Sequence, residues 1–285
     1  MRSKKEELLY VPLFLTESLL PFRGKETFFT RSYMHTDITI QGGADRTGHL
    51  PLPSGIIARR LLFHFITEAW IQNSPKVGIC GTQTLLKKLN ISIKDRSRRA
   101  LKKQVYYLSM MTMRIQEYVG IDGEGFVNKN IPIMNGIEIY NWTAPEQLML
   151  FRNSIEFSPQ FFKLLQELKK NHPPIDKNVL WSITGPLQSD IYCWLQRRLQ
   201  HPDTANGKSL SWDNLYDQFG RGQRVADFVY RFKSALKSVL PLIKYETYGS
   251  QRREFPVEIT REGIVLYNID KQVESEPKVE TRSYF

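Results

Sequence analysis

Shifted by about 130 residues, the two halves of this sequence present the same order of apolar and charged segments, and a chain that repeats itself folds as copies of one unit. Leu61-Leu62-Phe63-His64-Phe65 falls on Ile191-Tyr192-Cys193-Trp194-Leu195, Leu85 on Leu215 and Leu89 on Phe219. A basic segment from Asp95 to Met111 falls on Val225 to Pro241, and Tyr118 falls on Tyr248. Residue identity is low across the shift. What repeats is the pattern of apolar positions, which is the part of a sequence that a fold constrains most directly.

The second copy reads most clearly between Ser211 and Tyr267. A Trp-Asp start at Trp212-Asp213 opens a short helix ending at Gly220, where a left-handed cap is expected. A basic turn containing Arg221 and Arg224 leads into a second helix. Val225, Phe228, Val229, Phe232, Leu236 and Val239 recur there at steps of three and four, so they form one buried stripe. The opposite arc holds Asp227, Tyr230, Ser234 and Lys237, flanked by Arg231 and Lys233, and Pro241 ends the helix. Three strand-like runs follow, IKYETY, FPVEIT and IVLYNI, the first two separated by a tip bearing Arg252 and Arg253. Helix, basic turn, amphipathic helix and hairpin is the order of a DNA-binding winged helix. A small α+β subdomain with a solvated basic face would present the same segment. Trp194, Trp212 and Phe232 have apolar neighbours at helical spacing and are expected in the core of this unit.

The first copy has matching parts. Pro53 and Ser54 precede a long helix through Asn73, Thr82 opens a short one, and Asp95 to Met111 forms a third. With Leu101, Val105 and Leu108 buried, Arg99, Lys102, Lys103 and Tyr106 occupy the far face, with Arg96 close by. From Thr112 to Trp142 the segments alternate, and Asp122-Gly123 and Asn135-Gly136 are hairpin-type dipeptides, which predicts a two- or three-stranded wing. Residues 1–50 are expected as an arm or leading strand, with a turn-rich loop from Gln41 to Gly48. The expected architecture is α+β: residues 51–150 and 151–270 as tandem winged-helix domains, and 271–285 as a disordered tail. The expected DNA contacts come from Arg96, Arg99, Lys102, Lys103 and Tyr106 in the first domain. In the second they come from Arg221, Arg224, Tyr230, Arg231, Lys233, Ser234, Lys237, Arg252 and Arg253.

Charge agrees with a polyanionic partner. Forty Lys and Arg against 29 Asp and Glu leave a formal charge of +11 over 285 residues, which raises encounter rates with nucleic acid. No run of 18 apolar residues is present to span a membrane, and the Met1-Arg2-Ser3-Lys4-Lys5 start leads into no signal-peptide core. Cys80 and Cys193 are far apart and without His at metal-ligand spacing, so they read as thiols of a reducing cytoplasm. No phosphate-binding Gly-Lys-Ser/Thr loop occurs. His35, His49, His64, His172 and His201 are isolated, whereas a nickase would pair two on one strand to hold a metal. Neither a catalytic residue nor a cofactor is therefore expected. A metal-dependent nickase or recombinase, and a transcriptional repressor without a replication role, stand as the alternatives to a replication function.

At PSGIIARRLLFHFITEAW, continued by GTQTLLKKLNI, the chain resembles the plasmid-encoded RepA replication-initiator family. Pro53, Arg60, Leu61, Leu62, Thr67, Glu68 and Ala69 carry that likeness. LQSDIYCWLQRRL, LSWDNLYDQFG and DFVYRFKSALKSVL are similar to the same family's later blocks, so the likeness runs from about Pro51 to Leu266. It does not extend to Asp122 through Asn141. The resemblance implies tandem winged helices in a cytoplasmic plasmid protein that binds direct repeats of double-stranded origin DNA and helps open them. It also implies recruitment of host replication initiator and helicase proteins, and a homodimer that gives way to an origin-bound monomer.

Overall fold

The computed structural model describes residues 8–12, 15, 20–33, 36–119, 125–140, 142, 153–168, 174–204, 207–220, 222–243 and 255–268. The fold is α+β. In the first half, α1 (Gly55–Gln72), β6 (Lys76–Ile79), α2 (Thr82–Lys88) and α3 (Asp95–Ser109) are followed by β9 (Met134–Glu138) and β10 (Asn153–Phe157). The three strands form an antiparallel sheet in the order β6-β10-β9. In the second half, α6 (Pro186–Arg198), β12 (Lys208–Ser211), α7 (Trp212–Phe219) and α8 (Val225–Val239) precede β13 (Val257–Ile259) and β14 (Gly263–Leu266). The sheet order is again first, third, second: β12-β14-β13. Both halves thus follow the winged-helix order. β10 starts beyond residue 150, so a division there would cut the first sheet.

Helices α3 and α8 and strands β6 and β12 keep the spacing of about 130 residues, whereas the later strands do not, because the first half carries an insertion before β9. The insertion is a hairpin of β7 (Thr112–Val119) and β8 (Gly125–Pro132). It is joined by β2 (Phe28–Tyr33) and β3 (Thr36–Gln41) in a four-stranded sheet ordered β2-β3-β7-β8. Ile40, Met113, Ile115 and Ile131 share its inner face and are buried. The predicted wing is therefore realised as two different things, a long hairpin paired to the N-terminal strands and a separate strand β9. Asn135-Gly136 is not a turn; it lies within β9, where Gly136 pairs with Glu156.

Local chemistry accounts for the helix ends. Ser211 Oγ accepts the Asn214 N–H at 3.1 Å, and Ser158 Oγ accepts that of Phe161 at 3.1 Å, starting α7 and α4 (Pro159–Leu168). Ser54 occupies the N-cap of α1 with no side-chain cap bond, and its N–H donates to Gln104 Oε1 at 2.8 Å. Gly220 is not left-handed as expected; its φ is −66°. Its lack of a side chain matters for another reason, since a Cβ there would collide with the Tyr216 carbonyl and ring. Pro241 terminates α8 through a single 3-10 turn, Leu240–Leu242.

One apolar core runs through both halves. In the second, Phe232 meets both Phe219 and Phe228 with ring centroids 5.4 Å apart. Trp194 stands edge-on to Phe219 at 5.4 Å and Trp212 to Phe232 at 6.2 Å. All three residues expected in this core, Trp194, Trp212 and Phe232, are buried. The halves are sewn together by buried cations of α1. Arg59 forks onto Asp190 of α6, Nε to Oδ1 at 2.6 Å and Nη2 to Oδ2 at 2.7 Å, and also donates to the Leu20 and Pro21 carbonyls. Arg60 donates to Leu89 and Asn90 at the end of α2 and to Trp181 and Ile183 at the end of α5 (Lys177–Ser182). From β2, Arg31 donates to the Asp217 and Gly220 carbonyls at the C-terminus of α7, where cations are favoured. Burial pushes the Arg31 and Arg60 guanidinium groups down to about 10, still charged at neutral pH.

Candidate nucleic-acid interface

Helix α3 owes its two-sidedness to three apolar residues. Leu101, Val105 and Leu108 are fully buried, which turns Arg96, Arg99, Lys103 and Tyr106 outward as one exposed stripe; Lys102 is half-buried on its flank. Few acids temper this charge. Arg98 pairs with Asp95 at 3.1 Å, and the Lys103 ammonium lies 5.4 Å from the Tyr107 ring. The Tyr106 hydroxyl donates to Asp45 Oδ2 at 3.1 Å, which raises the phenol above its ordinary range. Asp45 is held below the usual carboxylate range, mainly by the Thr47 hydroxyl and N–H and less by Tyr106.

Helix α8 is built in the same way with a different outer face. Phe228, Phe232, Ala235, Leu236 and Val239 are buried, and Tyr230 (77% exposed), Ser234 and Lys237 point away from them. Other cations expected as contacts have partners within the unit. Arg224, at the N-cap, pairs with Asp227 at 3.0 Å; Arg231 donates to Gln223 Oε1 at 3.3 Å; the half-buried Lys233 lies 4.8 Å over the Trp212 ring. Arg221, Arg252 and Arg253 lie outside the described residues.

Aligning the buried stripes sharpens the contrast. Leu101, Val105 and Leu108 match Phe232, Leu236 and Val239, one residue further than the helix ends match. Arg96, Arg99, Lys103 and Tyr106 then correspond to Asp227, Tyr230, Ser234 and Lys237. One outer face is dominated by cations. The other presents a tyrosine, a serine, a lysine and an acid, groups that suit hydrogen bonding to base edges more than charge neutralisation.

The helix that carries the cationic stripe also lies where the chain is similar to a known family. Residues 92–214 match the family of plasmid encoded RepA proteins. The RepA match spans α3, the β7–β8 insertion and α6, and ends before α8. Two solved structures share the architecture. A selenomethionine derivative of domains 2 and 3 of RctB has a TM-score of 0.56 at 11% identity, covering 80% of this chain and 84% of that one. RctB domains 2-3 in a second structure give 0.52 at 12%, covering 83% and 84%. A search of curated sequences finds no match.

Sequence reasoning missed Arg59 and Arg60 as buried cations and the half-buried Arg31 as a cap on α7. Arg60 was legible only as part of the RepA-like motif, and nothing in the spacing marks it as a buried donor to four carbonyls. No helix among the described residues is long and apolar enough to cross a membrane.

Proposed function

We propose that the chain is a plasmid replication initiator that binds repeated double-stranded origin DNA through α3 and α8, helps open it and recruits host replication initiator and helicase proteins. The observation that carries this reading is the exposed stripe Arg96, Arg99, Lys103 and Tyr106 on the third helix of a winged-helix unit, inside the RepA-matching segment. Phosphate contacts by such cations release counterions, so log affinity falls with log salt by about 0.9 per phosphate neutralised. The role requires no catalytic group and no cofactor.

Replacing Arg99 and Lys103 together by Ala should flatten the salt slope by about one to two units. An unchanged slope would move the DNA surface off α3. Replication of a marker plasmid bearing only this gene and its adjacent DNA tests the initiator role itself; repression without replication would make the protein a repressor. A divalent-metal-dependent nick in supercoiled origin DNA would make it an enzyme. A homodimer in the absence of DNA belongs to the same proposal, and sedimentation of the free and DNA-bound chain checks it.

A further inference from the structure

Beside the outer stripe of α3 stands a short hairpin, β4 (Ala44–Asp45) and β5 (Gly48–His49), joined by Arg46 and Thr47. Its geometry is closely fixed. Asp45 Oδ1 accepts both the N–H of Thr47 at 2.7 Å and its hydroxyl at 2.6 Å, and Gly48 takes the left-handed conformation (φ +111°) that closes the turn. Leu50 N–H donates to the Gly43 carbonyl at 2.8 Å at the base. Gly43 is pressed against the end of α3: a Cβ there would stand 2.7 Å from Met110 Cβ and 2.8 Å from its carbonyl oxygen. The other oxygen of Asp45 takes the hydroxyl of Tyr106, one helical turn beyond Lys103 on the stripe. The hairpin therefore continues the stripe past the C-terminus of the helix. Its turn presents Arg46, exposed and with no ion-pair partner among the described residues.

We propose that Arg46 is a further DNA-backbone contact of the first unit, and that Tyr106 is a positioning residue which holds the hairpin to α3 through Asp45. The inference rests on the DNA-binding reading of α3. A helix of 15 residues is about 22 Å long at 1.5 Å per residue, while the major groove is about 12 Å wide, so a helix entering by its first turns leaves its last turn over the flanking strand. A cation fixed just beyond that turn meets phosphates rather than base edges. Asp45 does not oppose this, because its carboxylate is turned into the hairpin and onto Tyr106 by three donors.

The test measures binding of the full chain to a mixed-sequence duplex of about 30 base pairs across a salt series. Arg46→Ala is expected to reduce the slope by about one unit while the melting temperature stays that of the parent. Arg46→Lys should keep the parental slope. Tyr106→Phe, which keeps the ring and loses the hydroxyl, should weaken binding, and the double variant with Arg46→Ala should be no weaker than Arg46→Ala alone. Full additivity would remove the positioning role of Tyr106. If Arg99→Ala/Lys103→Ala flattens the slope and Arg46→Ala does not, the hairpin is outside the interface and the reading of α3 stands. If neither changes it, both are wrong.

Discussion

At the scale of single residues, the most consequential pair makes no contact with solvent. Both side chains of the Arg59–Asp190 pair are 2% exposed, and removing one partner of such a pair leaves an uncompensated charge in the interior. Asp190→Ala is expected to cost about 3–5 kcal/mol in a urea titration. Arg59→Met with Asp190→Leu should recover part of that loss but not all, because the Leu20 and Pro21 carbonyls lose their donor. His64, on the buried side of α1, carries a pH dependence. Burial first, and Lys88 and Lys177 second, push it down to about 3, and Glu68 at 3.7 Å is beyond hydrogen-bond reach. The unfolded chain takes up that proton near 6.5, so this contribution is complete above 6.5 and lost as pH falls from there toward 3. The parent should lose about 2 kcal/mol more than His64→Leu between pH 7 and pH 5, read from urea midpoints. Equal losses would show that the ring is protonated in the folded chain.

At the scale of elements, α8 stands on Phe232, which touches Trp212, Phe219 and Phe228 and is fully buried. Phe232→Ala should cost roughly 3–5 kcal/mol and lower thermal stability before it alters any DNA preference. A variant that melts normally yet fails to bind would place the ring at the interface. This helix and α3 were legible in the sequence because a period of 3.6 is local: Leu101, Val105 and Leu108 declare their buried side within four turns. The strands β13 and β14 were legible for the same reason. The four-stranded sheet was not. β3 finds β7 across more than seventy residues, Thr36 facing Glu117, and alternation tells which face a strand buries but not which partner it pairs with. At the candidate site, periodicity identified the outward residues of α3, whereas the fates of Arg224 and Lys233 were invisible. Whether a surface cation points outward or folds onto Asp227 or Trp212 depends on neighbours that periodicity does not contain. The hairpin at Asp45 read only as a loop, since its link to Tyr106 spans 61 residues.

At the scale of the whole molecule, two units of like element order but unlike outer faces share one chain and one core. If both engage one duplex as proposed, in successive major grooves, the bound site is asymmetric and about 20 base pairs long, because no two-fold axis relates the readers. Substitution at Tyr230 should relax sequence preference at the end that α8 reads, whereas substitution at Arg99 should weaken binding to all sequences alike. Footprinting one isolated site at known stoichiometry checks this; a palindromic footprint holding two chains would make the second unit a dimerisation domain. The joint between the units also sets a schedule. Arg31 leaves the ribosome 186 residues before Asp217, whose carbonyl it will cap, and Leu8 precedes its strand partner Asp176 by a similar stretch. At roughly 5–20 residues per second, that is a wait on the order of ten to forty seconds. During it the second unit does not yet exist, so Arg31 and Leu8 close their contacts with it later than β3 closes onto β7, which needs the chain only as far as Glu117.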